Sequence, residues 1–100
     1  MLRKDKKNLY GNLMSSKIRF NIVKALHKNA TLRQTEIANE LKQKQQNISK
    51  AVYDLEKMGL IECLNPKKPA WKSYVITESG KRIFEFAEKR EKEAKKRKSY

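Results

Sequence analysis

One hundred residues, 38% of them hydrophobic, suffice for a single domain with one modest core and argue against a disordered chain. A formal net charge of +14 draws such a domain toward polyanions, nucleic acid ahead of an anionic membrane surface. Without a long apolar run, signal peptide or acylation motif, neither membrane insertion nor secretion is expected, and the single Cys63 fits a reducing cytoplasm.

The first 15 residues set Arg3, Lys4, Lys6 and Lys7 against Asp5 alone, then bring Leu9-Tyr10 and Leu13-Met14. This reads as a basic arm with a short helix interrupted at Gly11. It could reach along a DNA backbone or join a dimer interface, the plainer alternative being a frayed terminus that covers the core. Ser16 suits the N-cap of a helix running to about Lys28, with Phe20, Ile22, Val23 and Leu26 as apolar positions and Ile18 and Ala25 at the margin. Arg19 falls inside that apolar arc, so its stem should pack while its head seeks water or a carboxylate. His27, the one histidine, reads as a surface residue at the helix end, because nothing gives it metal-binding company. Residues 29–32 are a break able to hold a minimal strand. A second helix over 33–42 carries Ile37, Ala38 and Leu41, and residues 42–44 are a link too short for a strand.

The next helix, from Gln45 to Met58, has the sharpest pattern. At 100° per residue, Ile48, Val52 and Leu55 fall on one stripe, edged by Ala51 and Met58. Gln46, Lys50, Tyr53 and Lys57 point the opposite way, beside Asn47 and Asp54. One side can seal a core, and the other offers amides, an ammonium and a phenol suited to base edges and phosphates. Gly59 stands where a left-handed C-terminal cap is wanted.

Residues 60–64 and 72–77 have strand composition, and 65–71 between them hold Pro66, Pro69, Lys67, Lys68 and Trp71, so a β-hairpin with a basic tip is expected. Cys63 should pack as a small apolar residue. Thr77 can cap a last helix to about Lys98, in which Ile83, Ala87 and Ala94 form a thin stripe flanked by Phe84 and Phe86. Four acid-first pairs, Glu85/Lys89, Glu88/Lys92, Glu91/Lys95 and Glu93/Arg97, should each support this helix by about 0.2–0.5 kcal/mol. It is either a solvated terminal helix or one whose apolar half meets a partner subunit.

The order helix, short strand, helix, reading helix, strand, basic loop, strand, long helix resembles the winged helix-turn-helix fold, in particular small prokaryotic, archaeal or viral regulators of the MarR and ArsR kind. The residues that carry the likeness are Arg19-Phe20-Asn21-Ile22-Val23-Lys24-Ala25-Leu26, Gln34-Thr35-Glu36-Ile37-Ala38-Asn39-Glu40-Leu41, Asn47-Ile48-Ser49-Lys50, Asp54-Leu55-Glu56-Lys57-Met58-Gly59-Leu60-Ile61, and Tyr74-Val75-Ile76-Thr77-Glu78-Ser79-Gly80. The resemblance implies a mainly α fold with a small β-hairpin (α+β) and a long C-terminal helix, divided as an arm over 1–15, a winged helix-turn-helix domain over 16–80 and a charged helix over 81–100. It also implies the 45–58 helix in a major groove, and residues 66–71 as a wing on backbone or minor groove. One cysteine and one histidine cannot supply the clusters of ArsR-type metal sensors, and there is little spare length for a MarR-type ligand pocket.

The expected function is therefore sequence-specific binding of double-stranded DNA by a transcriptional regulator, a repressor, in the cytoplasm at the nucleoid. Gln46, Asn47, Ser49, Lys50 and Tyr53 are the candidate base readers. Arg33, Gln34, Lys44, Lys67, Lys68, Trp71 and Lys72 are the backbone and wing candidates, Arg33 and Gln34 also through free N–H groups at their helix start. A homodimer is expected, joined through Leu9, Tyr10, Leu13, Ile83, Phe84, Phe86, Ala87 and Ala94. No metal, cofactor or small-molecule effector is evident, and no nucleophile–base pair or glycine loop suggests an enzyme. The rival readings are an architectural chromatin protein with little sequence preference and a winged-helix module for protein–protein contacts.

Overall fold

The computed structural model describes residues 6–67 and 72–98, with side chains from 9 to 93 within them. Its elements run α1 (Lys6–Met14), α2 (Lys17–Lys28), β1 (Leu32–Arg33), α3 (Gln34–Leu41), α4 (Gln45–Lys57), β2 (Ile61–Cys63), β3 (Ser73–Ile76) and α5 (Glu78–Lys98). The expected mainly helical winged helix-turn-helix is borne out, with β1 adding a third strand to the hairpin. The order β1-β3-β2 is antiparallel throughout, and Tyr74 sits opposite both Leu32 and Cys63.

Each helix boundary has a local cause. Ser16 Oγ accepts from Arg19 N at 3.2 Å and opens α2. Lys42 ends α3 in the left-handed region at φ 54°, with Gln43 N bonding back to Ala38 O at 3.0 Å. A lysine there costs about 1 kcal/mol more than glycine, and the tight turn it makes delivers α4 directly. Gly59, at φ 76°, ends α4 as its position predicts. Leu60 N reaches Leu55 O and Gly59 N reaches Glu56 O, both at 3.0 Å, the paired bonds of a left-handed cap. Thr77 Oγ1 accepts from Gly80 N at 3.0 Å to open α5 and donates to Gly59 O at 2.7 Å, so the end of α4 is bonded to the start of α5.

One core gathers the apolar faces. Ile22, Val23 and Leu26 from α2 meet Ile37 of α3 and Ile48, Val52 and Leu55 of α4, with Leu60, Tyr74, Ile83 and Phe84 closing it. Leu13 brings α1 into the same cluster. Gly11 does not interrupt α1, contrary to expectation: it faces open space, Ser15 N still bonds to Gly11 O at 3.0 Å, and packing of Leu9, Tyr10 and Leu13 outweighs a propensity cost of about 1 kcal/mol.

That core also corrects the dimer surface. Leu13, Ile83, Phe84 and Ala87 are 0–3% exposed within the protomer, so they have no surface left to share. Leu9, Tyr10 and Phe86 are half-buried; Tyr10 and Phe86 meet edge-on at 5.4 Å, with the Arg90 guanidinium 5.4 Å and 5.7 Å from their centroids. The side chain of Ala94 lies outside the described residues. The charge pairs of α5 need correction as well. Glu85 turns to His27 Nε2 at 3.5 Å, and among the described residues neither Glu85–Lys89 nor Glu88–Lys92 closes to an ion pair. A pair worth a few tenths of a kcal/mol in water, roughly, does not hold two long side chains in one geometry. The His27 ring meanwhile lies 4.6 Å from that of Phe84.

Tyr74, 2% exposed, carries the one large titration shift among the described residues. Burial pushes its phenol from 10.0 up to about 12, with the charges of Glu56 and Cys63 adding to the effect. The folded state thus holds this proton more tightly than the unfolded chain. The stabilisation is complete below pH 10 and is lost as pH rises through about 12, about 2–3 kcal/mol in all. Urea titrations across that window should show Tyr74→Phe losing that much less stability than the parent. Equal losses would show that Tyr74 stays protonated on unfolding or is ionised in both states.

Candidate nucleic-acid interface

The apolar stripe of α4 is sealed, with Ile48 and Leu55 at 0% and Val52 at 1% exposure. Its other side stands clear: Gln46, Asn47, Ser49, Lys50 and Tyr53 are all exposed, Tyr53 at 59%. Each side chain on that face has its own setting. Asn47 Nδ2 donates to Gln43 Oε1 at 3.4 Å, which leaves the Asn47 amide oxygen free of that bond. Ser49 Oγ accepts from Gln34 Nε2 at 3.3 Å and ties α4 to the start of α3. Lys57 Nζ lies 5.2 Å from the Tyr53 ring centroid, placing a cation over the outermost aromatic. The Lys44 side chain is exposed while its carbonyl accepts from Asn47 N and Ile48 N at 3.0 and 3.1 Å, so this residue caps α4 through its backbone and offers its charge outward.

The wing begins beside this face. A groove between α3, α4 and β3 is lined by Gln34, Ser49, Tyr53, Glu56, Lys72 and Tyr74. Two residues expected on the DNA backbone, Gln34 and Lys72, thereby meet two expected readers, Ser49 and Tyr53. Pro66 and Lys67 are exposed beyond β2. Asn65 Oδ1 accepts from Ser73 N at 2.8 Å and Leu64 N donates to Ser73 O at 2.8 Å, so the two arms of the wing are pinned at its base. Lys68 and Trp71 lie outside the described residues.

One part of the expected phosphate site is corrected. Arg33 N donates to Glu36 Oε1 at 2.8 Å, and Gln34 N donates to Lys72 O at 3.4 Å. Those two N–H groups are engaged within the fold, the first by a carboxylate that would itself repel phosphate. The exposed Arg33 side chain remains as a donor, together with the one Gln34 amide hydrogen not given to Ser49.

Two charged groups matter here in ways the sequence only hints at. Arg19 does find a carboxylate, Asp54 on α4, at 3.2 Å, and its fork also reaches Asn12 O at 2.9 Å and Ser15 Oγ at 2.7 Å. The signal is an arginine inside an apolar arc; the identity of its partners, 35 residues away in one case, is not legible. Lys42, at the turn between α3 and α4, belongs with Lys44 and Lys50 to an acid-free basic run over 42–50, but the left-handed backbone it adopts is not legible in the sequence. Among the described residues no group of three or more histidine, cysteine or acidic side chains could hold a metal, and no helix is long and apolar enough to cross a membrane.

A short helix, a left-handed turn and a second helix with its polar side outward, backed by a hairpin, define a winged helix-turn-helix protein. Residues 15–62 match the family model described as winged helix-turn-helix DNA-binding. Among solved structures the chain resembles the transcriptional regulator BldR from Sulfolobus solfataricus, at 28% identity and TM-score 0.68 over 84% of this chain and 61% of that one. The YusO protein from Bacillus subtilis shares the fold at 21% identity and TM-score 0.77, over 92% and 69% of the two chains. So does the transcriptional repressor CouR, solved bound to a 23-mer DNA duplex, at 23% identity and TM-score 0.70 over 85% and 61%. The chain thus shares its fold with these proteins, and it spans about 61% of the length of BldR. No curated protein sequence matches it.

Proposed function

We propose that the protein binds double-stranded DNA in a sequence-specific way and regulates transcription, as a repressor that occupies its site. Helix α4 enters the major groove, where Gln46, Asn47 and Lys50 read base edges with Ser49 and Tyr53 beside them. Arg33, Gln34, Lys44 and Lys72 hold phosphates, joined by Lys67, Lys68 and Trp71 of the wing. The observation that carries this reading is the division of α4 into a sealed aliphatic side and an exposed face of amides, hydroxyls and an ammonium. The charge of +14 supplies the long-range attraction, and CouR offers a precedent for such a fold on a duplex.

One reading helix spans only a few base pairs, so the protein acts as a homodimer on half-sites separated by about one helical turn or a multiple of it. With Leu13, Ile83, Phe84 and Ala87 committed to the core, the contact falls to Leu9, Tyr10, Phe86 and the side of α5 beyond them.

Selection from a random DNA pool at stated salt tests the proposal. The enriched site should win over random competitor by about 10³ or more, and its two half-sites should be symmetric. Salt-sensitive binding without that preference would make the protein architectural. Absence of DNA binding would leave the fold as a protein-contact module, and light scattering showing a monomer free and on DNA would remove the dimer.

A further inference from the structure

Asp54 is out of place on a face meant for DNA. It lies one helical turn after Lys50, near enough for the two side chains to meet, and its charge repels phosphate. The structure shows what becomes of it. Arg19, reaching over from α2, binds Asp54 Oδ2 through one guanidinium nitrogen at 3.2 Å. The other nitrogens are anchored on the end of α1, Nε to Asn12 O at 3.3 Å and the second terminal nitrogen to Asn12 O at 2.9 Å and Ser15 Oγ at 2.7 Å. Arg19, Asp54, Asn47 and Lys50 line one groove, yet among the described residues Lys50 makes no ion pair.

From this geometry we infer that Arg19 is a positioning residue for DNA binding: it holds the Asp54 carboxylate away from Lys50, so that Lys50 stays free for DNA. The inference rests on the proposed DNA-binding reading. The fork geometry explains why an arginine serves here. A planar guanidinium can grip a backbone carbonyl, a hydroxyl and a carboxylate at once, so Asp54 is held against a fixed cation and not a wandering one. With side-chain exposures of 21% for Arg19 and 34% for Asp54, the pair is only partly screened by water. Because Arg19 also grips Asn12 and Ser15, the same side chain fixes the end of α1 to the reading helix.

The experiment measures affinity for a duplex selected from a random pool, together with the cost of Lys50→Ala in four backgrounds. In the parent, Lys50→Ala weakens binding by its full amount. In Arg19→Gln, Asp54 captures Lys50; binding falls by about two- to fivefold, and Lys50→Ala then costs correspondingly less. In Arg19→Gln with Asp54→Asn, both the affinity and the cost of Lys50→Ala return toward parental values. Arg19→Lys, which keeps a cation opposite Asp54 but loses the fork's hold on Asn12 and Ser15, should bind between the parent and Arg19→Gln and melt lower than the parent. A purely structural role for Arg19 predicts no rescue by Asp54→Asn and no change in the cost of Lys50→Ala, and either result overturns the inference. Loss of DNA binding in Arg19→Lys also overturns it. Failure of the parent itself to bind any duplex is a different result, and sinks the proposed function instead.

Discussion

Gly80→Ala is expected to cost about 3 kcal/mol and to lower the melting temperature by roughly 15 °C. In an ordinary helix the same change stabilises, by about 1 kcal/mol, so the sign is decided by what surrounds this glycine. A Cβ there would run into the Leu60 carbonyl oxygen and come within 2.7 Å of Ile76 Cγ1. That carbonyl cannot swing aside cheaply. It accepts from Thr77 N at 3.0 Å, and the neighbouring Gly59 carbonyl accepts from Thr77 Oγ1 at 2.7 Å. To make room, α5 must move off the end of α4 and take Ile83 and Phe84 out of the core. Gly11→Ala gives the matched control, since a Cβ at Gly11 meets nothing within 4 Å. Thermal melts should move in opposite directions for the two variants. A neutral or stabilising Gly80→Ala would mean that the junction between α4 and α5 is looser than these bonds imply.

Gly80 also marks the limit of what is legible in the chain. The Ser16 cap, the Gly59 cap and the two-sided pattern of α4 are local, each set by residues within a turn or two, and all three can be read from sequence. The hairpin is legible because prolines and strand residues separate cleanly. Nothing local distinguishes an apolar stripe buried in its own protomer from one buried in a partner. Leu13, Ile83, Phe84 and Ala87 therefore read as an interface in the sequence and belong to the core in the fold. The same applies at the α3 start. Its N–H groups read as open in the sequence, but β1 and β3 pair in register, Arg33 opposite Ser73, and bring the Lys72 carbonyl against Gln34. Interactions between residues far apart in the chain decide which polar groups remain free, and only the fold supplies them.

The proposed division of labour between α4 and the wing carries the largest expected functional effect. Gln46→Ala with Lys50→Ala should shrink the gap between the preferred duplex and random DNA, because a good bidentate contact contributes about 1–3 kcal/mol of discrimination and a truncated side chain leaves the base edge unread. The fold should be indifferent to this change, since both residues are exposed and Ile48, Val52 and Leu55 keep α4 in place. Lys67→Ala with Lys68→Ala should act differently. Phosphates carry no sequence, so affinity for all duplexes should fall together, and the slope of log K against log salt should flatten by about 0.9 for each phosphate no longer neutralised. Lys67 leaves the hairpin just past Asn65, whose side chain pins the wing base, so its removal should not disturb the groove where Lys72, Gln34 and Ser49 meet. Both variants are read by the same competition titration, run at several salt concentrations against the selected duplex and against random sequence. If the wing change alters sequence preference while the helix change leaves it intact, the roles are reversed and α4 does not lie in the groove.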